Sequence, residues 1–208
     1  MYGFTSVSSK SDDLDLESGG TLYPGLGHGE SELRWGFIRK VYGILSAQIL
    51  LTTLVSAFTV LYAPLNDLLR GSSGLLLLFA VLPLIRKIVL EALILTSAVV
   101  FALTGYTFWA AKKGKDFSYL GPILFTSLII LILTGFIQMF FPLGPTSVAI
   151  YGGLGALIFS AYLVYDTDNL IKRFSYDEYI WASVVLYLDI LNLFLSILRV
   201  LRGMQSDG

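Results

Sequence analysis

Long apolar runs constrain this chain more than any other feature of its sequence. A helix needs about 20 apolar residues to cross the hydrocarbon core of a bilayer. Five runs reach that length, at residues 41–63, 88–111, 120–141, 147–165 and 179–201. Only 14% of the residues are charged, whereas soluble domains carry about a quarter. The sequence therefore predicts an all-α, polytopic membrane protein with five full spans.

Charge and residue usage exclude several classes of function. With a net charge of −1 the chain lacks the basic face of a nucleic-acid-binding protein, so we expect no nucleic-acid partner. The chain has no Cys, which removes disulfides, thiol catalysis and thiolate metal sites. Its single His, His28, stands in a polar segment, away from the apolar runs. We expect no catalytic residue, no metal site and no bound cofactor, and the lipid bilayer is the first predicted partner.

Two stretches fall outside the five runs. Residues 1–31 are polar and acidic with Gly and Pro breakers, so they predict a disordered tail without a cleavable signal peptide. Residues 32–208 then form a single transmembrane domain. Residues 74–85 are apolar but too short to cross a bilayer, and Pro83 interrupts them. Such a run is typical of a re-entrant or interfacial segment.

Basic residues predict how the spans are oriented. With a cytosolic N-terminus, five crossings place the basic loops at 112–115 and 172–173 in the cytosol, as the positive-inside rule requires. A sixth crossing at 74–85 would move the first of these loops outside. Five crossings leave Arg199 and Arg202 outside, which the rule disfavours. A re-entrant last segment would return both to the cytosol and is the alternative.

Two carboxylates stand in the last part of the chain, where apolar residues dominate. Asp166 follows the fourth run and Asp189 lies well inside the fifth. An ionisable group in a membrane span is costly, so it marks a functional site by default. At 100° per residue Asp166 shares a helix face with Gly152 and Gly155, which favours close helix contact. Asp189 shares its face with Asn192 and other small or polar residues, so both acids are expected to face protein.

The depth of the two acids decides whether they meet. Ser175 and Glu178 fit a capping box, which predicts that the last helix begins near Tyr176. Asp166 would then lie about 9 Å, and Asp189 about 20 Å, from the loop between the two helices. A tilt or a helix break is needed to bring the carboxylates into contact.

Two of three further polar residues have two interpretations each. Glu91 shares a helix face with Ala and Gly residues, so it either supports the acid pair from inside the bundle or lies at the interface. Asn192 either orients Asp189 or makes a plain interhelical hydrogen bond. Asp168 is expected to be a loop or helix-end charge.

Two facing acids suit three classes of protein. Carboxylates are hard oxygen ligands for Ca²⁺ and share a proton when close, which favours a pH-sensitive cation path. Intramembrane aspartyl proteases also use two acids, but their G-x-G-D motif is replaced here by Tyr187-Leu188-Asp189, and their P-A-L motif is missing. A non-conducting regulator would use the acids to hold its helices in register.

Five strings resemble the Bax-inhibitor/Lifeguard family in its plant Lifeguard form. They include V-Y-D-T-D-N-L-I-K and L-Y-L-D-I-L-N-L-F, and they lie at 32–53, 90–96, 106–117, 164–172 and 186–194. The resemblance implies a seven-helix membrane fold, a Ca²⁺ leak from internal stores and suppression of programmed cell death. It also implies a pH-sensing aspartate pair, which falls on Asp166 and Asp189.

The chain departs from the family between Ile85 and Leu90. Family members carry the rest of a second span, a third span and a linking loop there, but here Arg86-Lys87 follows almost at once. Losing two crossings keeps the orientation of everything downstream, as the basic loops also indicate. Any family residue on the lost helices that pairs with the aspartates is absent.

The sequence thus predicts a Lifeguard-like, multi-pass protein of the endoplasmic reticulum or another endomembrane. Ca²⁺ is the expected transported ion, and cell-death regulatory membrane proteins are the expected protein partners. The alternatives are a non-conducting regulator or scaffold, and an inactive shortened variant.

Overall fold

The computed structural model of the chain describes residues 22–24, 26–61, 73–141 and 144–206, with the backbone alone at 28, 55–61, 73–86, 145 and 206. All regular secondary structure within these residues is helical. The five helices are α1 (His28–Leu61), α2 (Ser73–Lys112), α3 (Leu120–Phe140), α4 (Pro145–Lys172) and α5 (Tyr179–Ser206).

Each helix contains a stretch long and apolar enough to cross a membrane. The five stretches are Gly29–Leu54, Lys87–Lys112, Leu120–Phe140, Thr146–Lys172 and Tyr179–Gln205. Large apolar side chains such as Phe101 and Met139 point outward and are 79% exposed. Such a surface suits lipid, and the all-α, five-span prediction is confirmed.

The antiparallel pair α4–α5 is the centre of the fold and has the most extensive contact of any two helices. Around it, α1 packs chiefly on α5, α2 packs on both, and α3 packs on α4. The largest buried cluster joins α1, α4 and α5 through side chains that include Val41, Leu170 and Leu186. The two helices that carry the acids are therefore the best supported.

Charged side chains tie the loops together at one end of the bundle. From α1, Arg34 Nη1 donates to the carbonyl of Phe174 in the α4–α5 loop. From the end of α4, Lys172 Nζ donates to the carbonyl of Lys115 in the α2–α3 loop. The basic loops predicted to share one side of the membrane do lie at one end of the structure. That this side is the cytosol stays a prediction.

Residues 74–85 are not a separate re-entrant segment, because they form the first part of α2. The helix continues through Pro83 and across Arg86-Lys87 to Lys112. Pro83 disfavours a helix interior, but neither Arg nor Lys breaks a helix, and no turn residue separates the two apolar runs. Gly114, at φ +71°, lies in the turn that ends it.

The last helix also differs from the prediction in two respects. It is continuous over 28 residues, so the re-entrant alternative is wrong. The Glu178 carboxylate accepts a hydrogen bond from the Ser175 amide at 2.9 Å, as a capping box requires. Residues 176–178 nevertheless form a turn, and α5 begins at Tyr179 rather than near Tyr176.

The predicted tail, residues 1–31, lies partly outside the described residues, which begin at Leu22. Leu22 is fully buried in the main cluster and α1 already begins at His28. The packed domain therefore extends to the N-terminal side of residue 32. The disorder expected for residues 1–21 stays a prediction.

Candidate functional site

Glycine backbone brings α4 and α5 into close contact beside the acids. A Cβ at Gly152 would lie 2.8 Å from the Ser196 carbonyl oxygen and 2.9 Å from Arg199 Cβ. A Cβ at Gly155 would lie 2.7 Å from Ser196 Oγ. Real Cβ atoms do not approach other atoms so closely, so only glycine fits at Gly152, which meets backbone, whereas a side chain at Gly155 would require the Ser196 hydroxyl to turn away. The contact predicted from these two glycines is present.

The structure brings Asp166 and Asp189 together within hydrogen-bonding range of each other. Asp189 is 7% exposed and Asp166 is half-buried. Because α5 begins at Tyr179, Asp189 lies about 15 Å from the start of its helix rather than about 20 Å. The loop at 173–178 accommodates the remaining difference from Asp166, which lies about 9 Å from the end of α4.

Few donors reach the two carboxylates. Asn169 Nδ2 donates to Asp166 Oδ1 at 3.5 Å. Asp189 Oδ2 is buried without a hydrogen-bond partner among the described side chains and backbone. Two ionised carboxylates are acceptors only, so a hydrogen bond between them requires that one be protonated. The arrangement suits one proton held between two acids.

A cavity of about 530 Å³ between α3, α4 and α5 contains the acid pair. On α5, one helix face supplies Asp189, Asn192, Ser196 and Arg199, which all line it. Most of its other lining side chains are apolar, although the phenols of Tyr151 and Tyr162 from α4 also border it. Within the part of the chain that the structure describes, no group of three or more acidic or His side chains could hold a metal ion. The oxygen atoms that the cavity offers come from the two carboxylates and from the polar side chains on one face of α5.

The two supporting residues predicted from sequence lie in different places. Asn192 lines the cavity, but its Nδ2 donates to the Leu188 carbonyl of its own helix at 2.8 Å, so it does not orient Asp189. Glu91 has a 42% exposed side chain and pairs with Lys87 of its own helix at 3.9 Å. It does not border the cavity.

Sequence reasoning missed three polar residues near the site. Asp168 is 1% exposed; it pairs with Lys172 and accepts a hydrogen bond from the Phe117 amide at 3.3 Å. It is thus a buried link to the α2–α3 loop, one turn before the end of α4. Asn169 and Arg199 could have been found by spacing, since Asn169 is three residues from Asp166 and Arg199 is three from Ser196.

Comparison with known proteins adds an independent finding. A family model described as "Inhibitor of apoptosis-promoting Bax1" matches residues 68–207. The BI1-like protein of Arabidopsis thaliana is 60% identical over 254 aligned positions, covering 100% of this chain and 98% of that protein. Protein LIFEGUARD 2 of the same plant is 48% identical (92% and 98% covered). The Golgi anti-apoptotic protein of vaccinia virus (strain Lister) is 33% identical (97% and 97% covered).

The first of these alignments is longer than the chain. It runs over 254 positions although the chain has 208 residues, so about 46 aligned positions have no residue here. Two membrane crossings need about 40 residues. The size of the gap therefore agrees with the predicted loss of two crossings.

Proposed function

The chain belongs to the Bax inhibitor-1/Lifeguard family of membrane proteins, which has anti-apoptotic members, and we propose that it suppresses programmed cell death through a pH-sensitive leak of Ca²⁺ from an internal store. The single observation that carries the proposal is the Asp166–Asp189 pair at the wall of the α3–α4–α5 cavity. No covalent chemistry is required of the chain.

The cavity supplies the ligands that a leaking Ca²⁺ ion needs. Carboxylate and amide oxygens replace part of the hydration shell of a hard cation. Asp166 and Asp189 provide the charge, and Asn192 and Ser196 continue the polar face along α5. An incomplete set of ligands holds the ion weakly enough to let it leave again.

The shared proton would make the leak respond to pH. Two carboxyls in contact titrate as one unit, so the charge at the wall of the cavity changes in steps that belong to the pair. Tyr162 borders the same space, and Arg199 is the cation that faces it from the far end. The pair is the group here whose ionisation alters the affinity of the wall for Ca²⁺.

Flux through purified protein in liposomes, measured over a pH series, tests the proposal. Wild type is expected to pass Ca²⁺ with a pH-dependent rate, and Asp166→Asn and Asp189→Asn should each flatten that dependence. Because each single change already removes the coupling, the double variant should resemble the singles rather than their sum. Glu91→Gln is the matched control, since that acid lies outside the cavity, and it should leave the pH response intact. A pH response that survives in both singles, or additive effects in the double, contradicts the proposal.

A second candidate is a non-conducting regulator that acts through cell-death regulatory membrane proteins. The observation that favours it is the gap of about 46 positions against the Arabidopsis relative, because the two crossings predicted to be lost would form walls of a leak path. Wild type without flux at any pH, but with cell-death suppression in cells, would select it. Inserting a relative's second and third spans ahead of Ile88 separates a path that has lost its walls from a protein that never conducts.

For localisation we propose the endoplasmic reticulum or a neighbouring endomembrane. One relative is named for the Golgi. A fluorescent fusion compared with markers of both compartments tests this, and a plasma-membrane signal alone would contradict it.

A further inference from the structure

Apolar side chains line most of the cavity that contains the acid pair. From α3 and α5 they include Leu128, Leu131, Ile132, Val184, Val185 and Leu188. Ile132 and Leu188 are also exposed at the surface of the bundle, so the cavity opens towards lipid. Its volume of about 530 Å³ lies within the range of small-molecule sites, which are mostly apolar with a few polar groups that orient the ligand. The wall therefore suits a ligand that consists mainly of hydrocarbon.

One part of the cavity is acidic. Asp166 and Asp189 lie there within hydrogen-bonding range of each other, and a single proton between them leaves the pair with one negative charge. Asn169 donates to Asp166 at 3.5 Å, and the ion pairs among the described residues join other acids to Lys or Arg. A buried anion is costly unless a cation or hydrogen-bond donors compensate it. A protonated amine supplies both a positive charge and N–H donors.

Aromatic rings border the cavity beside the acids. Tyr162 stands one turn before Asp166 on α4, and the centre of its ring lies 6.2 Å from that of Phe159, which also lines the cavity. The faces of aromatic rings attract ammonium groups and also pack against alkyl chains. Arg199, the basic side chain of the lining, stands ten residues from Asp189 along α5, about 15 Å away. An ammonium group is therefore favoured at the acid pair and not at the other end of the cavity.

We propose that the cavity binds a single-chain amphiphilic amine, with its ammonium group on Asp166 and Asp189 and its hydrocarbon chain along the apolar wall of α3 and α5. The ammonium and the singly ionised pair neutralise each other, which compensates two charges that are each costly within a membrane. A phosphate next to the amine would meet the same carboxylates and be repelled, so phosphatidylethanolamine is not the expected ligand. Binding goes beyond the proposed Ca²⁺ leak and does not require it. Only the consequence, that a bound amine excludes Ca²⁺ from the acids, rests on that function.

A scintillation proximity assay with tritiated dodecylamine tests the site. Purified protein in phosphatidylcholine nanodiscs is expected to bind the amine saturably, above the signal of empty nanodiscs. The double variant Asp166→Asn/Asp189→Asn should bind it at least about tenfold more weakly, because hydrogen bonds to charged groups are the stronger ones. Tritiated dodecanol has the same chain without the charge, and the double variant should bind it as wild type does. Equal dodecylamine binding in wild type and the double variant, or an equal loss of dodecanol binding, would overturn the proposal.

Two further variants and a change of lipid locate the ligand. Glu91→Gln removes an acid that does not border the cavity and should leave the affinity for dodecylamine unchanged. Val185→Trp fills the cavity one turn from Asp189 and should weaken the binding of both probes, while circular dichroism shows the helical content of wild type. Phosphatidylethanolamine added to the nanodiscs should not compete with dodecylamine. A loss in Glu91→Gln equal to that in the double variant, full binding in Val185→Trp, or competition by the phospholipid would each contradict the proposed ligand site.

Calcium flux then separates this inference from the proposed leak. If the leak exists, dodecylamine should lower the Ca²⁺ flux through wild type several-fold, and dodecanol should not. Saturable dodecylamine binding that depends on the two acids, in a protein without flux, would refute the leak and keep the binding site. Flux in wild type without dodecylamine binding would keep the leak and refute the site.

Discussion

Helices α4 and α2 both carry glycine within their membrane stretches, but only α4 uses it for contact. At Gly152 the backbone of α5 lies where a Cβ would be, whereas at Gly105 of α2 nothing lies within 4 Å of that position. Apolar side chains gain little by leaving lipid for another helix, so association depends on close packing and polar contacts. At the α4–α5 contact the glycines of one helix therefore meet backbone atoms and the small Ser196 side chain of the other.

The same contrast holds for the charges of the two helices. Asp168 of α4 is buried and joins two elements, since it holds both Lys172 and the Phe117 amide. Glu91 of α2 pairs with Lys87 of its own helix at the surface. The hairpin α4–α5 is thus held by contacts between elements, and the described pair on α2 is local.

The largest expected effect on stability is at Gly152, where the backbones of α4 and α5 lie close together. Gly152→Val would place side-chain atoms against the Ser196 carbonyl and Val200 amide, neither of which can move without the helix, so it should lower stability by about 3 kcal/mol. Gly153→Ala is the matched control: nothing lies within 4 Å there, and it should be neutral or stabilise by up to about 1 kcal/mol. Unfolding of purified protein in detergent measures both. Equal losses would mean that α4 and α5 separate in the membrane-mimetic state.

An intermediate effect is expected for the two acids just compared. Asp168→Asn should lower the free energy of unfolding by about 2 kcal/mol. The loss is smaller than for a fully buried ion pair because the Lys172 side chain remains 16% exposed. Glu91→Gln removes an exposed i,i+4 pair and should cost about 0.3 kcal/mol. The same unfolding assay compares them. If Glu91→Gln lowers the free energy of unfolding as much as Asp168→Asn does, Glu91 must contact another element besides Lys87 of its own helix.

The smallest effect concerns the loop between α2 and α3, which contacts the end of α4. The Ser118 hydroxyl and amide donate to Asp116 and lower the pKa of its carboxyl. A lowered pKa stabilises the fold above the ordinary value, and the contribution is lost as pH falls through the folded-state value. Because Asp116 is exposed, the change in stability should be slight. Ser118→Ala should raise the carboxyl pKa towards its ordinary value, as NMR titration would show, and an unmoved pKa would assign the shift elsewhere.

Much of the fold followed from sequence because membrane spans are local. Length and hydropathy fix each helix, and the basic loops correctly placed the ends of α2 and α4 on one side of the bundle. Helix periodicity predicted the glycine contact and that Asp166 and Asp189 both face protein, but their difference in depth was resolved only by the later start of α5 at Tyr179. These features depend mainly on residues that are close together in the sequence, so one sequence is enough to predict them.

The features that could not be predicted from the sequence depend on contacts between different helices and loops. The apolar run at 74–85 is short when considered alone, but joined directly to the next run it becomes part of α2. Asp168 looks like a helix-end charge until the loop from α2 folds over it. Arg199 conflicted with the topology by charge alone, and only the ring of Tyr151 gives its orientation. In each case the deciding contact comes from another element.

The unbroken helix α2 has a consequence for where this chain can reside. Its 40 residues extend about 60 Å, twice the thickness of a typical hydrocarbon core. To lie wholly within that core it would need a tilt of about 60°, beyond the range of about 0–40° found for membrane helices. A straight α2 therefore extends beyond the core at one end or at both, and it does so by less in a thicker, sterol-rich bilayer than in a thin one. Hydrophobic mismatch sorts some proteins between organelles, and the length of α2 is the feature of this chain on which such sorting would act.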